Sequence, residues 1–144
     1  MKKIIITISR EFGCGAREIA RKLASDLGIT FYDKDLVDMA AQKAGVHVDV
    51  FKNSDEVIMS RSASKLFREF GYGSSTAFYS EQAIAAQADV IRDVADGSDS
   101  AILFGRCSDY ILREYPNVIN FFLYAPIGYR VRHIADAYEL DAKE

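Results

Sequence analysis

The 144-residue chain has no basic surplus: 18 Lys and Arg stand against 21 Asp and Glu, for a formal net charge of −3. Neutralising a nucleic-acid backbone takes an excess of cations, so general nucleic-acid binding is not expected, although local basic pockets stay open. Nor is there an apolar run near the roughly 18–20 residues that cross a bilayer, so no membrane partner is expected. Met1-Lys2-Lys3 leads into a few strand-like residues and then Ser9 and Arg10, too little for the apolar stretch of a secretory signal. Only two cysteines occur, Cys14 and Cys107, far apart in sequence. Together these features place the chain in a reducing cytoplasm with both thiols free. His47 and His133 have no partners at metal-ligand spacing, so no protein-ligated metal centre is expected, and both read as structural or surface residues.

What is present is the stuff of a core. A hydrophobic fraction of 49% over this length suits one folded domain spanning residues 1–144. Lys3–Ile8 is β-branched nearly throughout, as in a strand covered on both faces. The loop Ser9–Gly15 follows, then a helix with Ile19, Ala20, Leu23, Ala24 and Leu27 on one face, closed by Gly28. Ile29–Tyr32 reads as a second strand ending at Asp33, and Asp35–Ala44 as a helix closed by Gly45. Val46–Asp55 has no clear period. Residues 56–70 look helical through Val57, Ile58, Leu66, Phe67 and Phe70, and Gly71–Ser75 reads as a loop. A long helix follows over about Thr76–Asp96. Ala101–Phe104 is a third strand running into Gly105-Arg106, Asp109–Glu114 a short helix, and Val118–Tyr124 a fourth strand. Pro126 then suits the first turn of a final helix. Strands alternating with helices predict a three-layer α/β/α fold with a central parallel sheet.

In such a sheet ligands bind beyond the carboxyl ends of the strands, where the first loop lies. Its glycines let backbone N–H groups approach a phosphate, and the dipole of the following helix favours an anion. Two known signatures can be laid on it. The dinucleotide fingerprint G-x-G-x-x-G needs glycine where Glu18 stands, although Asp33 mimics its ribose-binding acid. The Walker A pattern, laid on Arg10 through Arg17, matches only at Gly15: Arg10 replaces the first glycine, Ala16 the lysine and Arg17 the hydroxyl residue. Tyr72, Phe78 and Tyr79 could stack a base or simply pack.

Four blocks together resemble the cytidylate-kinase-like family: Ile6–Ala20 with its Ser9-Arg10-Glu11-Phe12-Gly13-Cys14-Gly15-Ala16-Arg17-Glu18, Phe31–Lys34, Gly105–Leu112 and Tyr124–Arg130. The family's own loop reads S-R-E-F-G-S-G-G-R-E, so the missing lysine is a family trait. The resemblance implies a P-loop, nucleoside monophosphate kinase-like fold, with residues about 35–96 as the helical monophosphate-binding insert and the usual C-terminal lid and last strand lacking. It implies ATP and Mg²⁺ as cofactors and transfer of phosphate from ATP to CMP or dCMP, with nucleotides as the small-molecule partners and a homo-oligomer left open. By the same resemblance Ser9, Arg10, Gly13, Cys14, Gly15, Ala16 and Arg17 hold the donor phosphates, and Arg17 and Arg106 are the catalytic cations. Asp33, Lys34, Arg106, Asp109 and Arg130 fall to the acceptor, Asp109 either orienting Arg106 or capping the helix behind it. Arg113 and Arg132 are further candidates for the cleft. Two other readings compete: a catalytically inactive nucleotide sensor of the same fold, and an NAD-dependent oxidoreductase.

Overall fold

The computed structural model describes residues 2–45 and 73–138, with the side chains of 73–81 and of residue 138 left aside. The helix expected over 56–70, His47 and Tyr72 lie outside the described residues, as do the side chains of Phe78 and Tyr79. The elements are β1 (Ile5–Arg10), α1 (Ala16–Leu27), β2 (Thr30–Tyr32), α2 (Asp35–Ala44), α3 (Gly73–Asp96), β3 (Ala101–Phe104), α4 (Ser108–Ile111), β4 (Val118–Leu123) and α5 (Ile127–Tyr138).

The four strands are parallel, in the order β2-β3-β1-β4. Ile5, Ile6, Thr7 and Ile8 are all buried, because β1 has strands on both sides and apolar packing on both faces. The chain leaves β1 toward β2 on one flank and passes from β3 to β4 on the other. Connections that part in opposite directions open a crevice at the carboxyl end of β1. Thr7 is fully buried, and its hydroxyl donates to Asn120 Oδ1 at 2.5 Å across the β1–β4 pair.

Three boundaries differ from expectation. Ser9 and Arg10 belong to β1, not to the loop, because they pair with Phe122 and Leu123. Helix α3 begins at Gly73, so Gly73–Ser75 are helical. Helix α4 spans only Ser108–Ile111. The buried face of α1 is an alanine stripe, Ala16, Ala20 and Ala24, while Ile19 and Leu27 are 54% and 41% exposed. Small residues four apart let the helix backbone come close to Ile6, Ile8, Ile102 and Phe104, with Leu23 packed alongside and half-buried.

The chain divides into two compact units, Met1–Asp33 with Val94–Glu144, and Lys34–Asp93. The first contains the sheet. In the second, α2 buries Leu36, Val37, Ala40 and Ala41, and Lys43 pairs with Asp93 of α3.

Candidate functional site

The loop after β1 is shaped by two glycines. Gly13 and Gly15 have φ of 81° and 79°, which side chains rarely adopt. A Cβ on Gly13 would also come within 2.9 Å of Ile134 Cγ1 and 3.0 Å of the Arg130 carbonyl, so α5 presses directly on the loop. Gly15 precedes α1, and the N-terminus of this 12-residue helix opens onto a cavity of about 400 Å³. The loop, Arg10, Arg17, Phe104, His133 and Ile134 line it.

Two guanidinium groups share the ring of Phe104, at the end of β3: Arg10 Cζ lies 4.3 Å from its centre and Arg17 Cζ 5.3 Å. Phe31 meets the same ring edge-on at 5.7 Å. Arg17 Nε donates to Asp33 Oδ2 at 2.7 Å, and the Asp33 side chain is only 15% exposed. Arg10 has no acidic partner among the described residues. Burial lowers its pKa first and the charge of Arg17 next; Asp33 works the other way, and Arg106 lowers it further. Three cations therefore share one electrostatic neighbourhood.

Beyond β3, Gly105, Arg106 and Cys107 are consecutive left-handed residues, with φ of 71°, 59° and 54°. Arg106 and Cys107 are the only non-glycine residues with positive φ among those described, and such geometry is stored where the surroundings enforce it. Here Gly105 N–H donates to the Ile8 carbonyl at 2.9 Å, and the Ser108 hydroxyl donates back to the Gly105 carbonyl at 2.8 Å. Cys107, not Asp109, occupies the position before α4, which corrects the capping alternative. Asp109 Oδ1 instead accepts from the Ser9 hydroxyl at 3.4 Å, a long bond joining the end of β1 to α4.

Arg130 ties α5 to the loop. Its Nη1 donates to the Phe12 carbonyl at 3.4 Å and its Nε to the Ala125 carbonyl at 3.1 Å, with Glu11 Oε2 3.4 Å from Nε. On the same helix His133 Nε2 lies 3.4 Å from Glu18 Oε1, and Tyr129 stacks on the His133 ring.

Residues 5–144 match the sequence model of the cytidylate kinase-like family. The chain belongs to the cytidylate kinase-like family. Membership supports nucleotide binding and kinase-like function in general terms. A search of curated proteins by sequence gives no match. Among solved structures, an uncharacterized protein from Eubacterium ventriosum ATCC 27560 shares the fold, with a TM-score of 0.66 and 24% identity over 98% of this chain. The chain spans 65% of that protein's length. Among the described residues no helix is long and apolar enough to cross a membrane.

In this member of the cytidylate kinase-like family, the residues named from sequence fall into two groups. Arg10, Gly13, Cys14, Gly15, Ala16 and Arg17 line the cavity, and Asp33 and Arg106 are coupled to its cations. Ser9 and Asp109 meet each other where β1 faces α4, and neither is among the residues that line the cavity. Lys34 is exposed and belongs to the other unit, Arg132 is exposed, and Arg113 folds back on the Tyr110 ring and carbonyl. Sequence reasoning missed Phe104 as a platform and the Glu11–Arg130 tie, and read His133 as a bystander although it lines the cavity. The one signal available for Phe104 was its place: a bulky ring ending a strand at the ligand edge of the sheet.

Proposed function

We propose that the chain binds ATP through the loop Gly13–Arg17 and transfers its terminal phosphoryl group to a nucleoside monophosphate, CMP or dCMP. The observation that carries the reading is the pair Arg10 and Arg17 beside a glycine loop at a helix N-terminus, with Arg106 among the charges that lower the Arg10 pKa. Loop N–H groups and the α1 dipole bind the donor phosphates, and Arg10 and Arg17 neutralise them. Arg106 holds the acceptor. A phosphate oxygen of the monophosphate attacks the terminal phosphorus, the bond to the bridging oxygen breaks, and ADP leaves with that electron pair. Positioning and charge neutralisation supply most of the acceleration in such reactions.

The metal that the family implies would find hard oxygen donors in the Ser9 hydroxyl and Asp109 carboxylate, a set that suits Mg²⁺ shared with phosphates. When bound it would add positive charge to the phosphates. Arg130 and Glu11 serve the loop in this reading, fixing the Phe12 carbonyl so that the following N–H groups face the ligand.

A coupled ADP-release assay across the nucleoside monophosphates tests this: turnover should be greatest with CMP or dCMP, and an absence of turnover with every acceptor removes the enzyme reading. A nucleotide sensor is the second reading. It is favoured by Arg17, a guanidinium already paired to Asp33 at the position where a metal-binding hydroxyl is usual. Calorimetric ATP binding without turnover would select it.

A further inference from the structure

We infer that Asp33 and Phe104 are positioning residues that clamp the Arg17 guanidinium by one edge and leave its terminal amino groups for a polyphosphate; this rests on the phosphate-binding reading above. Register builds the clamp. Tyr32 pairs with Leu103 in the β2–β3 ladder, so the next residues along, Asp33 and Phe104, emerge side by side at the carboxyl edge of the sheet. The first turn of α1 delivers Arg17 to both: Asp33 Oδ2 takes the Nε hydrogen at 2.7 Å, and the Phe104 ring lies under the guanidinium plane at 5.3 Å. Phe104 is 3% exposed and braced by the edge of Phe31, and the Asp33 side chain is 15% exposed.

The chemistry of the side chain gives this arrangement its purpose. Arginine offers five N–H donors in one rigid plane. The contact with Asp33 uses the Nε donor, and among the described residues Nη1 and Nη2 make no hydrogen bond, so four donors remain on a fixed fork. Lysine could not divide itself in this way. Its ammonium is a single point of charge, and against Asp33 it would spend that charge on the acid. The clamp therefore explains how an arginine one residue beyond the Walker lysine position can serve a phosphate while remaining paired to an internal carboxylate. Asp33, expected from sequence to touch the acceptor, acts through Arg17.

The test is calorimetric binding of inorganic pyrophosphate and of ATP to the full chain and to Asp33→Asn, Arg17→Lys and Arg17→Ala, with melting curves alongside. Losing the anchor should weaken pyrophosphate binding by roughly tenfold, the scale of one charge-assisted hydrogen bond, even though a negative charge leaves the site. The direction discriminates: bulk electrostatics alone predicts tighter binding by Asp33→Asn, and a merely structural role lowers the melting temperature without moving affinity. Arg17→Lys should bind no better than about twice as tightly as Arg17→Ala. Wild-type affinity in Asp33→Asn or in Arg17→Lys would overturn the inference. A measurement on the unmutated chain guards against unfolded variants: the Arg17 Nε–H resonance should stay protected from exchange when pyrophosphate is added, and its loss on binding would also overturn the clamp. If the unmutated chain binds neither pyrophosphate nor ATP, the phosphate-binding reading itself fails, and this inference with it.

Discussion

The Arg10 guanidinium lies over an aromatic ring with Arg17 and Arg106 as charged neighbours, and its pKa is lowered, by burial above all. The sign of the linkage follows directly. A base whose folded pKa falls below its unfolded value has its charged form disfavoured by folding, so at neutral pH, below both values, the native state carries that cost. An anion in the cavity reverses it. Arg10→Met keeps a flexible apolar stem against Phe104 and removes the crowded charge. Without ligand it should melt no lower than the parent, and the rise in melting temperature produced by ATP should fall to less than about half, as for loss of a principal ligand contact. Differential scanning fluorimetry with and without ATP checks both. At Cys107 the strain is in the backbone. A non-glycine residue in the left-handed region loses about 1 kcal/mol, part of which a glycine loses again through unfolded-state freedom. Cys107→Gly should therefore gain roughly 0.5 kcal/mol in urea unfolding.

At the scale of elements, the cavity is lined by the β1–α1 loop together with His133, Ile134 and Ala137 of α5. Gly13 is left-handed, and a Cβ there would meet Ile134 Cγ1 at 2.9 Å and the Arg130 carbonyl at 3.0 Å. Gly13→Ala has no unstrained conformation there and should cost about 1–3 kcal/mol of stability. Its ATP affinity should fall further than its stability, as circular dichroism melts and calorimetry together would show. The strands themselves were legible in sequence because short β-branched and aromatic runs bounded by Gly, Asp and Pro have few other uses. Of the face read for α1, Ala20, Leu23 and Ala24 do pack on the sheet, whereas Ile19 and Leu27 lie outside it, because close packing favours the alanine stripe. The loop was legible as a phosphate cradle from its glycines and its place after a buried strand. Its working parts were not: Arg17 with Asp33, Glu11 with Arg130, and two arginines on Phe104 are brought together by register and helix docking, which no local pattern encodes.

For the molecule as a whole, the sheet order β2-β3-β1-β4 puts the site at the centre and leaves β4 at the edge of the described sheet. From Val118 to Tyr129 there is no charged residue, and Phe122 is 62% exposed, with Ile119, Phe121 and Tyr124 also exposed. Native edges are usually blunted by charge or proline, and an apolar one invites pairing with further polypeptide. Light scattering on this chain should accordingly show self-association that grows with concentration and that Phe122→Lys reduces; a monodisperse monomer insensitive to that change would contradict the expectation. The same architecture sets the most direct test of the central claim, that the loop from Gly13 to Arg17 receives nucleotide phosphate. In a ¹⁵N-resolved titration with ATP, the amides of Gly13, Cys14, Gly15, Ala16 and Arg17 should move first and furthest, saturating together. Saturable shifts that leave those five amides unmoved, or no shifts at all, would contradict it.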